Sequence, residues 1–195
     1  MSGNRVTTII LIGPHAAGKT TLGRRIAAVL GCRFDDEIGE RLRRTALAHD
    51  PSAHAQLQQD SFDEQVIQHE LARDTAQEAC HDSRVVETWH IGNLAYAQQR
   101  SPTVAARWER AIETAIQRAC DRTRVIVQPL RIEEASLLKR QSEPGPADIA
   151  RFFIDVAMRA ERLSAEFGLA VASPLFTDRL DVDAALRQIL RQVRV

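Results

Sequence analysis

The sequence predicts an α/β fold in which one parallel β-sheet is covered by helices on both faces. Short apolar segments rich in β-branched residues alternate with longer segments whose apolar residues recur at helical spacing. The first apolar segment leads through a glycine-containing loop directly into a helix, as in the βα units of parallel sheets. With 195 residues, we expect a single domain over residues 1–195 with one helical insertion.

The composition is that of a globular protein and provides no electrostatic argument for a nucleic-acid or membrane partner. Hydrophobic residues make up 44% of the chain and the formal net charge is zero. The three cysteines are scattered and lack metal-ligand spacing, and no apolar segment is long enough to span a membrane. We therefore expect a cytoplasmic protein with small-molecule partners.

Residues 13–20 match the pattern G-x-x-x-x-G-K-[ST] of phosphate-binding loops, directly after a predicted strand and before a predicted helix. The main-chain N–H groups of such a loop converge on phosphate oxygens, and the helix N-terminus adds partial positive charge. Lys19 is expected to reach the β- and γ-phosphates and Thr20 to offer its hydroxyl to Mg²⁺. The predicted nucleotide-binding residues are Gly13, His15, Ala16, Ala17, Gly18, Lys19, Thr20 and Thr21.

The elements around this loop follow in order. Residues 6–12 are predicted as the first strand, residues 20–30 as the first helix and residues 32–35 as the second strand. Asp35 and Asp36 stand at the carboxyl end of that strand, which borders the ligand crevice of an open α/β sheet. Asp36 either faces this crevice or caps the following helix.

Residues 37–83 form the predicted insertion, which is polar and helical. One short helix is expected to end near residue 50, and a second to begin at Ser61, whose spacing to Glu64 is that of a capping box. The histidines of this segment lack the spacing of a metal site. A long insertion next to a phosphate loop is a suitable place for an acceptor pocket.

A third strand is predicted over residues 84–88, with Glu87 at its carboxyl end. A carboxylate there can hold a Mg²⁺-bound water or accept the proton of an attacking hydroxyl. Trp89 and Tyr96 either stack on a planar base or pack in the core, and Asn93 is a candidate to bind the edge of that base.

The second half of the chain predicts a long helix from Pro102, a fourth strand over residues 125–128 closed by Pro129, and a lid over residues 131–146. Arg131 and Arg140 of this lid either meet the triphosphate or form a solvated cationic helix end. A helix over residues 147–167, a fifth strand over 169–172, a loop over 173–179 and a last helix over 182–193 follow.

These features together resemble the P-loop nucleoside and nucleotide kinases, nearest to thymidylate kinase-like proteins and deoxynucleoside kinases. Four features of the sequence carry this resemblance: residues 13–20, the acidic end of the second strand, Glu87 with residues 93–96, and the region of Arg131 and Arg140. The resemblance implies a three-layer α/β/α P-loop kinase fold with a five-stranded sheet in the order 2-3-1-4-5. It also implies ATP as donor with Mg²⁺, an adenine-binding loop at residues 173–179, an acceptor pocket between residues 37–81 and 90–100, and a homodimer.

The chain departs from these kinases after the third strand. Thymidylate kinases carry Asp-Arg-Tyr there and deoxynucleoside kinases carry Glu-Arg-Ser, whereas this chain has Glu87-Thr88-Trp89. Arg41, Arg84 and Arg100 are the candidates to replace the missing arginine. The acidic pair after the second strand is also similar to that of shikimate and gluconate kinases.

The resulting prediction is an ATP-dependent kinase of a nucleoside or nucleoside monophosphate. Lys19 and Arg140 would stabilise phosphate charge, and Asp36 or Glu87 would take the proton of the acceptor. The predicted acceptor-binding residues are Asp35, Asp36, Arg41, Glu87, Trp89, His90, Asn93, Tyr96 and Arg100. The alternatives are a kinase of a sugar acid, polyol or antibiotic, and a regulatory P-loop ATPase, although the chain is short for an AAA-type ATPase and lacks a guanine-specifying Asn-Lys-x-Asp motif.

Overall fold

A computed structural model describes residues 6–53, 57, 59–77, 80, 82–140 and 147–193. The strands are β1 (Thr7–Ile12), β2 (Arg33–Asp35), β3 (Arg84–Glu87), β4 (Arg124–Arg131), β5 (Ala170–Val171) and β6 (Leu175–Phe176). The helices are α1 (Lys19–Leu30), α2 (Ile38–His49), α3 (Asp60–Gln77), α4 (Trp89–Arg100), α5 (Pro102–Arg122), α6 (Glu134–Arg140), α7 (Ala147–Glu166) and α8 (Val182–Val193). The parallel sheet has the order β2-β3-β1-β4-β5, so the predicted α/β/α fold with the order 2-3-1-4-5 is confirmed.

Strand β1 lies at the centre of the sheet because its side chains are apolar on both faces. It pairs in parallel with β3 on one side and with β4 on the other. Ile10 and Ile12 enter the core on the side of α4, α5 and α7, whereas Ile9 and Leu11 enter the core on the side of α1 and α8. The carboxyl end of β1 therefore delivers the phosphate loop at the middle of the sheet.

The prediction that Pro129 ends the fourth strand is wrong, since β4 continues through Pro129 to Arg131. Pro129 is the last residue of β4 in register with β1, opposite Ile12. The next residue, Leu130, pairs with β6. Proline is tolerated here because β4 changes partners at this point, where a missing N–H interrupts no continuous ladder.

Strand β6 lies in a segment that the sequence predicts as a loop. Residues 173–179 follow β5, and Leu175 and Phe176 within them pair with Leu130 and Arg131 at the end of β4. Ala170 and Val171 alone form the fifth strand, which is shorter than predicted. A two-residue strand carries too little hydrophobic pattern to be distinguished from a loop in sequence.

Helix α3 docks on α4 through carboxylates as well as through apolar residues. Asp63, Glu70 and Asp74 point toward α4, and Asp63 and Glu70 are buried. Their partners include the side chains of Arg100, Ser101, Asn93, Trp89 and His90. We call these three carboxylates and their partners the polar seam. Sequence periodicity does not indicate it because the three carboxylates occupy helix positions that apolar residues usually occupy.

Several sequence predictions fall on residues outside those described, including the turn at residues 141–146 of the lid and the histidines at positions 54 and 81. Helix α3 begins at Asp60, one residue before the predicted start. The carboxylate of Glu64 accepts a hydrogen bond from the indole of Trp108 on α5 at 2.9 Å.

Among the helices that the structure describes, none combines the length and apolar character needed to cross a membrane.

Candidate active site

The loop between β1 and α1 has the backbone of a phosphate cradle. Gly13, Ala16 and Gly18 have positive φ values of 156°, 60° and 85°, and turns of this kind are how phosphate-binding loops direct main-chain N–H groups toward an anion. A Cβ atom at Gly13 would lie 2.5 Å from the carbonyl oxygen of Leu130, so this position accepts only glycine. Ala17 is buried beneath the loop, and Thr20 and Thr21 are exposed at its end. The arrangement fits a polyphosphate at the N-terminus of α1.

Lys19 lies under this loop with only 7% of its surface exposed. Its ammonium group donates hydrogen bonds to the carbonyl oxygens of Gly13 and Pro14 at 3.1 and 3.2 Å. It also lies 3.8 Å from a carboxylate oxygen of Glu37. The ammonium group is therefore fixed between the loop and the carboxylate of Glu37. From this position it can interact with a phosphoryl group bound in the loop.

Glu87 lies at the carboxyl end of β3, beside the phosphate loop, as its position in the sequence predicts. Its Oε1 accepts a hydrogen bond from the hydroxyl of Thr20 at 2.9 Å. A hydroxyl and a carboxylate are hard oxygen donors of the kind that Mg²⁺ takes together with nucleotide phosphates. Within the described residues there is no group of three or more acidic, His or Cys side chains that forms a metal cage. The residues fit a magnesium ion that a nucleotide would bring with it.

Burial raises the pKa of the Glu87 carboxyl above its ordinary value, and the opposing charge of Lys19 does not cancel this effect. A carboxyl with a raised native pKa destabilises the fold once it ionises, so the cost appears as the pH rises. Glu87→Gln should therefore unfold at a higher temperature than wild type at about pH 8. The difference should shrink on acidification and vanish below the ordinary value of 4.5. Thermal unfolding followed by circular dichroism over this pH range measures it.

The control for this measurement is Glu113→Gln, which removes a glutamate from the exposed surface of α5. At about pH 8 its midpoint should show no gain comparable to that of Glu87→Gln, because the side chain of Glu113 stays exposed to water in the folded protein. A Glu87→Gln protein that is less stable than wild type at about pH 8 would contradict the raised pKa.

Glu37 is the acidic residue after β2 that faces the phosphate loop, and sequence analysis missed it. Its Oε2 accepts a hydrogen bond from the hydroxyl of Thr88 at 3.0 Å. Asp35 is buried and pairs with Arg33 at 2.9 Å, away from the loop. The carboxylate of Asp36 is 35% exposed. Three consecutive acidic residues leave the sequence ambiguous, and the signal that points to Glu37 is its place one residue before α2 at the strand end.

Trp89, His90 and Asn93 lie in the polar seam rather than beside the loop. Trp89 is fully buried, and its indole N–H donates to Asp74 at 2.9 Å. His90 contacts the same carboxylate at 3.0 Å, and the side-chain amide of Asn93 donates to Glu70 at 3.1 Å. For Trp89 the structure therefore corresponds to the packing alternative.

Tyr96 belongs to a group of aromatic rings beside the phosphate loop. Its ring centroid lies 6.1 and 6.5 Å from those of Phe152 and Phe153 on α7. Phe153 in turn lies 5.5 Å from the ring of His15 in the loop. Partial burial and the charge of Lys19 lower the pKa of His15, which favours its neutral form at pH 7. These rings provide an apolar wall close to the carboxylates of the site.

The arginines predicted on the acceptor side all have carboxylate partners. Arg41 lies 3.5 Å from Asp36, on the exposed surface. Arg84 lies 2.9 Å from Asp74 at the amino end of β3, the opposite end from Glu87. Arg100 pairs with Asp63. The structure thus brings none of these three charges into direct contact with Glu87.

Arg131 and Arg140, the two arginines that the sequence assigns to a lid, have different partners, and Arg131 is the last residue of β4. Arg131 donates to both carboxylate oxygens of Glu161 on α7 at 2.9 Å. Arg140, at the end of α6, donates to the carbonyl oxygen of Thr177 at 3.2 Å. Thr177 lies within residues 173–179, the segment expected to bind adenine, so Arg140 joins the end of α6 to that segment. The charge of Arg131 is compensated by a carboxylate, whereas the contact of Arg140 is with a neutral carbonyl.

A family model described as an AAA domain matches residues 8–168. No curated protein sequence matches the chain. Among solved structures, deoxyadenosine kinase from M. mycoides with bound dATP is 12% identical with a TM-score of 0.64, and the match covers 96% of this chain and 100% of that one.

NadR in complex with NAD and AMP-PNP is 20% identical with a TM-score of 0.63; the match covers 97% of this chain and 50% of NadR, so this chain corresponds to half of that protein. Shikimate kinase from Aquifex aeolicus vf5 is 14% identical with a TM-score of 0.53, and 96% of each chain is covered. At these identities the likeness establishes the fold, and it confirms the predicted resemblance to P-loop kinases.

Proposed function

The chain belongs to the AAA domain family and has the fold of P-loop kinases, and on this premise we propose that it transfers the γ-phosphoryl group of ATP to a small-molecule hydroxyl. The acceptor that we propose is a nucleoside rather than a nucleoside monophosphate. The observation that carries this proposal is the pair of carboxylates, Glu37 and Glu87, that faces the phosphate loop from two strand ends. Phosphoryl transfer to a hydroxyl needs a group that accepts its proton next to the phosphate site.

The two carboxylates have different roles in this proposal. Glu87 is bonded to Thr20 and orients the hydroxyl that would ligate Mg²⁺, which would supply charge stabilisation to the phosphates when bound. Glu37 lies near Lys19 and accepts the proton of the acceptor hydroxyl. It takes the role expected of Asp36, which is partly exposed and 3.5 Å from Arg41. Lys19 and the loop amides hold the β- and γ-phosphates, and Arg140 approaches them as the lid closes.

The charges around the site favour an acceptor without phosphate. Arg41, Arg84 and Arg100 are paired with Asp36, Asp74 and Asp63. A phosphate monoester in this region would meet Glu37 and Glu87, and the juxtaposition of like charges costs several kcal/mol. The rings of Tyr96, Phe152 and Phe153 offer a surface for a planar base instead.

The experiment measures ADP release from ATP and Mg²⁺ with matched pairs of acceptors, each a nucleoside and its own 5′-monophosphate. We expect turnover with at least one nucleoside to exceed that with its monophosphate by about tenfold or more. The base and sugar are the same within a pair, so the ratio reports the effect of the phosphate alone. Faster turnover of the monophosphates would contradict the acceptor assignment.

Two other functions are tested by the same assay. The similarity of the fold to shikimate kinase favours adding shikimate, sugar acids and polyols to the panel. The description of the family as an AAA domain favours a regulatory ATPase as the second candidate. ADP release that no acceptor accelerates would support that ATPase and overturn the kinase.

A further inference from the structure

The turn that joins β3 to α4 has an unfavourable backbone. Thr88 and Trp89 have φ values of 65° and 51°, in the left-handed region that glycine normally occupies. Threonine is β-branched and tryptophan is bulky, so this backbone conformation is strained for both residues. They persist only where surrounding contacts hold them, and they concentrate at functional sites.

This turn carries the acidic end of the candidate active site. Glu87, the residue before it, accepts the hydroxyl of Thr20 at 2.9 Å. Thr88 donates its own hydroxyl to Glu37 at 3.0 Å, and its main-chain N–H bonds to the carbonyl of Leu11 at 2.9 Å. The strained backbone therefore sets the directions of the Glu87 and Thr88 side chains. Glu87 contacts Thr20 at the end of the phosphate loop, and Thr88 contacts Glu37.

Asp74 on α3 holds the far side of the turn. Its Oδ2 accepts the indole N–H of Trp89 at 2.9 Å and lies 3.0 Å from Nε2 of His90. These two donors are the first residues of α4, immediately after Thr88. One carboxylate oxygen therefore fixes Trp89, the second strained residue, and His90 after it, and it does so from a different helix.

Asp74 is itself fixed as an ionised acceptor. Burial alone would raise its pKa, but the hydrogen bond and charge of His90 and the charge of Arg84 hold the pKa well below its usual range. Arg84 begins β3 and lies 2.9 Å from the Oδ1 atom of Asp74. Asp74 thus contacts residues at both ends of the segment that presents Glu87.

We propose that Asp74 is a positioning residue, which acts through its contacts with Trp89 and His90. These contacts keep the side chain of Glu87 bonded to Thr20 and that of Thr88 bonded to Glu37. Asp74 touches no reacting atom and acts through the turn. The inference rests on the proposed function, in which Glu87 orients the hydroxyl of Thr20 toward the magnesium of the bound nucleotide. Its consequence is that Asp74 contributes to the affinity for ATP only when Mg²⁺ is present.

The test is the dissociation constant for ATP, measured by calorimetry with Mg²⁺ and again with EDTA, for wild type and Asp74→Asn. Asparagine keeps the size of the side chain and one acceptor oxygen but loses the charge. We expect affinity to fall about tenfold with Mg²⁺, as is typical for groups that orient metal ligands, and to change less than about twofold with EDTA. No acceptor is needed, so the result does not depend on the identity of the substrate.

The matched control is Glu64→Gln. Glu64 lies on the same helix and also accepts an indole N–H, but from Trp108 on α5, away from the turn. This variant should bind ATP like wild type under both conditions. Equal weakening with and without Mg²⁺, or the same behaviour in Asp74→Asn and Glu64→Gln, would overturn the proposal.

A double variant separates positioning from a merely structural role. If Asp74 acts through Glu87, adding Asp74→Asn to Glu87→Gln should change Mg²⁺-dependent affinity less than about twofold, whereas independent effects would add. Should Asp74→Asn fail to fold, Trp89→Phe is the second variant, because it removes the indole N–H that donates to Asp74. It should lower the affinity for ATP in the presence of Mg²⁺ by less than about tenfold, in the same direction. Wild type that binds ATP but phosphorylates no acceptor would overturn the proposed function alone; wild type without ATP affinity would overturn both.

Discussion

Lys19→Ala is expected to lower phosphoryl transfer by about 10³-fold while the protein stays folded. The ammonium group lies between the loop carbonyls and Glu37, where water is largely excluded, so its charge acts on the phosphates with little screening. Alanine removes this charge and leaves the main-chain amides of the loop in place. The measurement is kcat for ADP release with an active acceptor, together with the thermal midpoint of unfolding.

Arg25→Ala is the matched control for this variant. Arg25 lies on the same helix and carries the same charge, but it is 49% exposed and pairs with Asp183 of α8 on the solvent side. Its loss should leave kcat within about twofold of wild type, because exposed ion pairs contribute little. Turnover by Lys19→Ala near the wild-type rate would remove Lys19 from its proposed role.

Glu37→Gln is expected to lower kcat by about 10² to 10³-fold with little change in the affinity for ATP. Glutamine retains the shape of the side chain and can still accept the hydroxyl of Thr88, but it cannot take a proton from an acceptor. Glu87→Gln should instead weaken ATP binding in the presence of Mg²⁺, because its partner is the hydroxyl of Thr20. The two variants are compared by kcat and by calorimetric affinity in parallel.

The outcome decides which carboxylate is the general base. A large loss of kcat in Glu87→Gln with unchanged affinity, together with an active Glu37→Gln, would exchange the two roles. Asp36→Asn serves as the control, since its partly exposed carboxylate lies near Arg41 and outside the contacts of the loop. The Asp36→Asn protein should retain nearly full activity if Glu37, the next residue, is the general base.

The fold was largely predictable because its strongest signals are local. The glycine-containing loop, the apolar run before it and the helical pattern after it are contiguous in sequence, and they fixed the centre of the sheet. Strand β6 and the passage of β4 through Pro129 were not predictable, since both depend on pairing between segments more than 40 residues apart, such as Leu130 with Leu175. No local pattern records such a pairing.

The placement of a candidate site residue was predictable where its type is tied to a motif or to a strand end, as for Lys19, Thr20 and Glu87. It was less predictable where several similar residues compete, as in the acidic run 35–37, because rotation about the chain decides which side chain faces the loop. The arginines illustrate the same limit. From the sequence Arg84 and Arg100 are candidates to replace the arginine missing after Glu87, but both are compensated by aspartates of another element, α3.

The polar seam has a consequence for how this protein can change over evolutionary time. Removing one member of a buried charge pair leaves the other uncompensated and typically costs 3–5 kcal/mol, whereas replacing a whole pair by well-packed apolar residues is often neutral. Single exchanges at Asp63, Glu70 or Asp74 should therefore be selected against, and variation should arrive as joint replacement of each carboxylate with its cationic partner, which is Arg100, Arg73 and Arg84 respectively. Substitutions at these positions should therefore occur in pairs, one at the carboxylate of α3 and one at its partner.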